Sequence, residues 1–139
     1  MRLTSAAEYG IRALLYLSLQ PPDKVCLISE ISKVQNIPEK FLAKIMQSLS
    51  KGGLVKSFRG VKGGFSLARL PEEITLKDAV ECLEGPMALN KCLIGEDSCE
   101  RSGTCPVHLV WKDAQDKFID VLDKANLKNL AEKAALLGN

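Results

Sequence analysis

Three cysteines and one histidine lie close together in the second half of the chain, in the pattern Cys92-x6-Cys99-x5-Cys105-x2-His108. Thiolate and imidazole groups are ligands of both zinc and iron–sulfur clusters, so this segment has the chemistry of a metal site. Structural zinc sites usually pair cysteines separated by about two to four residues, because two thiolates must hold one small ion. The wider gaps here allow a loop to surround a larger cluster. The pattern therefore predicts an iron–sulfur cluster, with a zinc site or a thiol redox switch as alternatives.

The fourth ligand of such a site has two candidates. His108 follows Cys105 in the first turn of a predicted helix, so the two side chains can converge on one site. The other candidate is Glu8 on the first predicted helix, reaching the cluster within the subunit or from a partner. In a purely structural role, Glu8 would instead complete a capping box that starts at Ser5. We favour His108 and keep Glu8 as the alternative.

Charge is distributed unevenly along the 139-residue chain, whose net charge is +2. Residues 33–69 contain eight basic side chains and one acidic side chain, a net charge of +7. Residues 70–139 contain eight basic and thirteen acidic side chains, a net charge of −5. Because the basic block also has a regular apolar pattern, it predicts a folded cationic surface that suits a polyanion. A solvated lysine-rich face is the alternative.

The basic block has the pattern of a helix-turn-helix followed by a β-hairpin. It predicts a short helix over residues 27–34, a break at 35–37 and a third helix from Pro38 to about Lys51. Short strands over 54–59 and 65–68 enclose a glycine-rich turn, which predicts a wing. The third helix has an apolar stripe of Phe41, Leu42, Ile45 and Leu49, and a polar face of Lys40, Lys44, Gln47 and Lys51.

A cationic second helix of this motif can enter the major groove of double-stranded DNA, where base edges show a readable pattern of donors and acceptors. Lys40 and Lys44 can contact phosphate or guanine. Glu39 can accept from a cytosine amine, and Gln47 can pair with adenine. Ala43 is too short to hydrogen-bond a base and can touch only a thymine methyl group.

The predicted wing adds a second basic element. Arg59 and Lys62 flank its tip, and a thin cationic tip suits the minor groove or the adjoining backbone. Helix-turn-helix patterns and hairpins also occur without DNA binding, but their ordered combination with a basic helix favours it. The predicted DNA-binding residues are Glu39, Lys40, Ala43, Lys44, Gln47, Lys51, Arg59 and Lys62.

The predicted fold class is mainly α with a small β-hairpin wing, a winged helix-turn-helix joined to a long helix. Thr75-x-x-Asp78 opens a fourth helix, Pro106 starts the long helix to about Lys124, and a last helix runs from Asn126 to Leu137. We expect one compact domain. It divides into a DNA-binding region over residues 1–84, a cluster-binding loop over 85–106 and the long and C-terminal helices over 107–139.

Composition limits the class of protein. The N-terminal residues lead directly into an amphipathic pattern, and the first apolar cluster is too short for a membrane span, which predicts a cytoplasmic protein. In a reducing compartment, five cysteines are not expected to form a disulfide framework. Cys26 and Cys82 lie in apolar helical segments and are predicted to be buried thiols. A small redox enzyme is a third possibility, but no catalytic dyad supports one, and we predict that the chain is not an enzyme.

The chain resembles the Rrf family of winged-helix transcription regulators, which includes IscR, NsrR and RirA. The residues that carry the resemblance are Met1-Arg2-Leu3-Thr4, the segment from Leu49 to Val55, Arg59-Gly60 with Gly63-Gly64, and the three cysteines. The resemblance implies a homodimer built on the long helix, with two recognition helices on a palindromic operator. It also implies that an iron–sulfur cluster controls DNA affinity.

Carried over by position, the resemblance gives the ligands Cys92, Cys99, Cys105 and His108. In NsrR-like members a carboxylate from the first helix completes a four-iron cluster, and Glu8 occupies the corresponding place. A glutamate is longer than the expected aspartate, so both ligand sets stay open. The cluster can accordingly be [2Fe–2S] or [4Fe–4S].

Overall fold

The computed structural model describes residues 3–88, residue 93 and residues 105–138. Cys92, Cys99 and most of the predicted cluster-binding loop lie outside the described residues. The described elements are α1 (Ser5–Leu19), α2 (Ile28–Gln35), α3 (Glu39–Lys51), β1 (Val55–Phe58), β2 (Gly64–Leu67), a 3-10 turn (Pro71–Glu73), α4 (Leu76–Glu84), α5 (Pro106–Lys124) and α6 (Leu127–Leu136). The predicted fold class, mainly α with a β-hairpin wing, is confirmed.

Side-chain caps decide where several helices begin. The Thr4 hydroxyl accepts a hydrogen bond from the Ala7 amide at 3.2 Å, so Thr4 is the N-cap of α1. The predicted capping box from Ser5 to Glu8 is therefore wrong, because Ser5 is already the first helical residue. The predicted start of α4 at Thr75-x-x-Asp78 is confirmed, and the two residues form a capping box: the Thr75 hydroxyl accepts from the Asp78 amide at 3.1 Å, and the Asp78 carboxylate accepts from the Thr75 amide at 3.0 Å.

The hydrophobic core surrounds α1, which contacts α2, α3, α4, α6 and the hairpin. Side chains from most of these elements meet there, and the largest fully buried ones include Leu14, Ile31, Ile37, Leu42, Met46, Leu49, Ile74 and Leu127. Burying side chains of this size from several elements provides the main stabilising free energy of the domain. The core thus holds α3 by one side and leaves its other side to solvent.

One predicted core residue is not in the core. Phe41 is 61% exposed, whereas its neighbour Leu42 is fully buried and Met46, which the predicted stripe omitted, is also fully buried. Successive residues of an α-helix are rotated by about 100°, so a buried stripe centred on Leu42, Ile45, Met46 and Leu49 turns Phe41 away from the core.

The wing is an antiparallel hairpin, in which Val55 pairs with Leu67 and Phe58 pairs with Gly64. Its base is attached to the segment before α2, because Cys26 and Phe65 exchange two backbone hydrogen bonds of 2.8 Å. This approach is close: a Cβ atom on Gly64 would lie 2.3 Å from the Cys26 carbonyl oxygen. Glycine at this position therefore allows the wing to be anchored.

Helix α5 is the least packed element of the described chain. None of its residues is buried, and it contacts α4 among the helices. Its large apolar side chains face solvent, namely Val107, Leu109, Val110, Trp111, Phe118 and Val121. Its end is joined to the domain, since the Ala125 carbonyl accepts from the Leu76 amide at 2.9 Å. Among the helices described here, none has the length and apolar character needed to span a membrane.

Candidate nucleic-acid interface and candidate metal centre

The turn between α2 and α3 is held by local hydrogen bonds. Asn36 adopts the left-handed conformation with φ of 54°, which asparagine tolerates better than most residues. The Ile37 amide donates to the Ser32 carbonyl at 3.0 Å, and the Ile37 side chain is buried. From α1, the Arg12 guanidinium donates to the Gln35 carbonyl at 3.1 Å. These contacts set the direction in which α3 leaves the turn.

The outer side of α3 carries the predicted base-reading residues. Lys40, Lys44, Gln47 and Lys51 are all exposed on the side opposite the buried stripe. Glu39 is exposed in the first turn, and Ala43 is half-buried at the edge of this face. The structure therefore gathers these residues on one accessible helix surface, and their contacts with DNA stay a prediction.

The wing places Arg59 and Lys62 on an exposed tip. The tip turns tightly, because the Gly63 amide donates to the Gly60 carbonyl at 2.9 Å and a Cβ atom on Gly63 would lie 2.5 Å from the Phe58 carbonyl oxygen. Val61, at the centre of the tip, is fully exposed. The tip therefore presents two cations with an apolar side chain between them.

Helix α4 contacts α3 and ends just before the segment that contains most of the predicted metal ligands. The Cys82 thiol donates to the Ser48 carbonyl at 3.3 Å, and a Cβ atom on Gly52 would lie 2.3 Å from the Cys82 sulfur. The last residue of α4, Glu84, accepts a hydrogen bond from the Thr4 amide at the start of α1. Residues near the end of α4 thus contact both α3 and α1 immediately before the segment that contains Cys92 and Cys99.

Two of the predicted metal ligands are described, and they lie within one helical turn. Cys105 is the N-cap of α5, and the His108 amide donates to the Cys105 carbonyl at 3.1 Å. The Nδ1 atom of His108 is buried and has no hydrogen-bond partner among the described residues. A buried polar atom without a partner is unfavourable, and ligation of a metal would satisfy it. Cys105 and His108 therefore fit an iron–sulfur or zinc site by donor type and position.

Glu8, the alternative fourth ligand, is exposed one turn into α1. The Glu8 amide donates to the Thr4 carbonyl at 3.1 Å, and Thr4 also contacts Glu84 at the end of α4. Glu8 therefore lies one helical turn from the point where the segment with the cysteines leaves α4. Because Glu8 is not part of a capping box, its carboxylate does not cap the start of α1.

Cys26 belongs to a separate polar group beneath the wing. It is fully buried, and burial raises the pKa of its thiol to about 11. The Tyr16 hydroxyl donates to the Glu30 carboxylate, which also lies 3.5 Å from the Lys24 ammonium. Burial and this hydrogen bond raise the pKa of Tyr16 to about 12. Cys26 is buried, as predicted, but it lies in a β-bridge with Phe65 before α2 and not in the predicted helical segment. A protonated buried thiol is unreactive, which favours a structural role. Cys82 is half-buried, and burial raises the pKa of its thiol.

Comparison with known proteins assigns the family. The Rrf2 model, described as an iron-dependent transcriptional regulator, matches residues 3–133. This chain belongs to the Rrf2 family. It is 35% identical over 131 residues to the transcriptional regulator NsrR of Halalkalibacterium halodurans, covering 94% of this chain and 90% of that protein. The predicted resemblance is thus confirmed, and the relatives are transcription regulators.

Solved Rrf2 structures include proteins with different names and one shared fold. IscR of T. potens has a TM-score of 0.78 and 26% identity, covering 96% of this chain and 88% of that one. CymR, the global cysteine regulator of B. subtilis, has a TM-score of 0.75 and 26% identity, and the match covers 96% of this chain and 98% of CymR. The same fold therefore occurs in a protein named as a regulator of cysteine. The fold by itself does not show which chemical signal this chain responds to.

Proposed function

We propose that this Rrf2-family transcription regulator binds a palindromic double-stranded DNA operator as a homodimer, and that an iron–sulfur cluster controls its affinity. The cluster ligands are Cys92, Cys99, Cys105 and His108, with Glu8 as the alternative to His108. The observation that carries the cluster proposal is the buried Nδ1 atom of His108, beside Cys105, for which the described part of the chain offers no hydrogen-bond partner. For DNA binding it is the exposed lysine face of α3 above a buried stripe.

Electrostatics supports DNA as the partner. The net charge of +7 lies within residues 33–69, which include α3 and the wing. Lysines that neutralise DNA phosphates release bound counterions, so affinity falls steeply with salt. Exposed side chains near the start of α3 can reach base edges, while Arg59 and Lys62 on the wing contact the minor groove or backbone.

The exposed apolar side of α5 supports a homodimer. Val110, Val121 and Phe118 remain in contact with solvent in the single chain. Large apolar side chains gathered on one helix are typical of a protein–protein interface. A second copy that packs on α5 would bury them, and the two-fold symmetry of such a dimer requires two related half-sites in the operator.

Two contacts of α4 support a link between the proposed metal site and α3. A bound cluster supplies an iron centre whose gain or loss depends on iron supply or oxidation. Its protein ligands lie on the segment after α4 and on the first turn of α5. Ligation of residues after α4 would constrain the end of α4, where Glu84 contacts Thr4 and Cys82 contacts Ser48 near the end of α3. A change in the loop thus biases the spacing of the two recognition helices.

The test starts from protein purified without oxygen. We expect a brown protein with visible absorption and a native mass that includes iron and sulfide, whereas a zinc protein is colourless. Cys99→Ser should remove the absorption, and Cys82→Ser, at a cysteine outside the ligand set, should retain it. His108→Ala and Glu8→Ala then distinguish the two ligand sets by which of them alters the spectrum. Native protein without iron would contradict the cluster proposal.

A binding assay tests control of the operator. A random duplex library yields the operator, and its affinity for the cluster-loaded and cluster-free protein is then compared. We expect a difference in affinity of about 5- to 150-fold, since allosteric couplings of about 1–3 kcal/mol are typical. Equal affinities would exclude cluster control but would leave DNA binding intact.

A cluster-free thiol regulator is the second candidate, because CymR shares this fold. In that case the protein carries no iron, and oxidation of Cys92, Cys99 or Cys105 changes operator affinity. Iron-free protein that loses affinity on mild oxidation and recovers it with a reductant would favour this alternative.

A further inference from the structure

Phe41 is an exposed aromatic side chain on the first turn of the recognition helix. Phe41 is 61% exposed, although the sequence pattern predicts that it belongs to the apolar stripe of α3. Because the buried side of α3 consists of Leu42, Ile45, Met46 and Leu49, Phe41 adds little to the core. The Phe41 ring is therefore available for contacts outside this chain.

Phe41 lies at the edge of the exposed lysine face of α3. Lys40 precedes it, and Lys44 follows three residues later, so that Phe41 and Lys44 are neighbours on the helix surface. Both lysines are exposed, and the first turns of a recognition helix are the part that approaches base edges. The surface that suits DNA by charge thus includes one phenyl ring.

The chemistry of the major groove limits what a phenyl ring can recognise. Guanine, adenine and cytosine present hydrogen-bonding edges there, and a phenyl ring that covers them removes water without replacing its hydrogen bonds. Thymine also presents its C5-methyl group, which a phenyl ring can contact favourably. We propose that Phe41 is a specificity-determining residue that recognises the C5-methyl group of a thymine in each operator half-site.

This inference rests on the proposed DNA binding, and it changes the role expected of Ala43. Ala43 was the predicted contact for a thymine methyl group, but it is half-buried and its side chain is a single methyl group. Phe41 is longer and more exposed. On the same helix it is therefore the better placed of the two for an apolar contact with a base.

The experiment removes the methyl group from the DNA and the ring from the protein. Full-length protein, purified without oxygen, is used to select an operator from a random duplex library. Each thymine is then replaced singly by deoxyuridine, which lacks only the C5-methyl group. For the wild-type chain we expect about a fourfold loss of affinity at one thymine in each half-site, the factor that corresponds to burial of one methyl-sized group.

The protein variants show whether Phe41 causes that loss. Phe41→Ala should bind the thymine operator more weakly and should no longer distinguish thymine from deoxyuridine at that position. Phe41→Leu, which keeps an apolar side chain, should retain part of the discrimination. Leu136→Ala changes an exposed apolar residue at the end of α6 and should retain all of it. Lys44→Ala should weaken binding and reduce its salt dependence but keep the deoxyuridine effect.

The outcomes separate the inference from the proposed function. If the library yields an operator but Phe41→Ala shows the full deoxyuridine effect, or weakens both duplexes equally, the assignment of Phe41 is wrong and DNA binding stands. If the wild-type chain enriches no sequence, both are wrong. A midpoint temperature of thermal unfolding equal to that of the wild-type chain would show that Phe41→Ala is folded.

Discussion

The region from α1 to α4 and the helix α5 are built in opposite ways. In the first region every helix contributes buried side chains, and in α5 none of the residues is buried. Both regions contain apolar residues at helical spacing, so their sequences alone look similar. The difference indicates that the helices of the first region are packed within this chain, whereas the apolar side of α5 is available to another surface.

The largest expected effect tests the packed region. Leu42→Ala removes a fully buried side chain from α3, and it should lower the free energy of unfolding by about 2–5 kcal/mol. The adjacent Phe41→Ala serves as the matched control and should change it by about 0.5 kcal/mol or less, because that side chain is mostly exposed. Denaturant unfolding measures both. Equal effects of the two variants would contradict the orientation of α3.

The next largest effect tests α5. Val110 is 64% exposed in the single chain, and Val110→Lys should weaken dimerisation by about 2–3 kcal/mol, because burial of the valine is lost and a charge is placed in the interface. Analytical ultracentrifugation measures the dimer constant. Lys117→Ala, on the same helix in a surface ion pair with Asp113, should leave it nearly unchanged. A dimer that tolerates Val110→Lys must use another surface.

A smaller effect tests the contact through which α4 reaches α3. In Gly52→Ala the new methyl group meets the Cys82 sulfur, which must rotate away from the Ser48 carbonyl. We expect a loss of about 1–2 kcal/mol of stability. The double variant Gly52→Ala/Cys82→Ala should recover part of it, because the clashing atom is absent. Strictly additive effects in this double-mutant cycle would show that the two residues are not in contact.

The smallest effect is a pH dependence beneath the wing. The hydrogen bond from Tyr16 lowers the pKa of Glu30 below its usual value of 4.5 in the folded state. This contribution to stability is present above pH 4.5 and is lost as the pH falls through the lower, folded pKa. Tyr16→Phe should therefore be less stable than wild type by about 1 kcal/mol near pH 7, and the difference should shrink below pH 4. Denaturant unfolding at both pH values checks this, and a constant difference would exclude the ionic hydrogen bond.

Most elements were predictable because their signals are local. The capping box at Thr75, Pro106 at the start of α5 and the glycines of the wing act within a few residues of their own position. Errors occurred where two local signals compete. Thr4 and Ser5 can each cap a helix, and the structure uses Thr4, which changes the position of Glu8 in the first turn.

The candidate site was predictable in residue type more than in arrangement. The basic residues of α3 follow directly from helical periodicity, and the structure places them on the exposed side. The exposure of Phe41 and Val61 could not be inferred in the same way, because an apolar side chain carries no sign of whether a neighbour covers it. Whether the Nδ1 atom of His108 has a hydrogen-bond partner within residues 3–88, 93 and 105–138 likewise depends on which groups surround it.

The sequence by itself determined the order of the helices, the position of the basic block and the donor types of the proposed metal site, because caps, periodicity and charge are properties of short segments. Tertiary structure alone decided which apolar residues are covered, since burial depends on elements far apart in the chain. It turned Leu42 inward and Phe41 outward, left α5 uncovered in the single chain, and brought Cys82 of α4 against Ser48 of α3 and against Gly52, the C-cap of that helix.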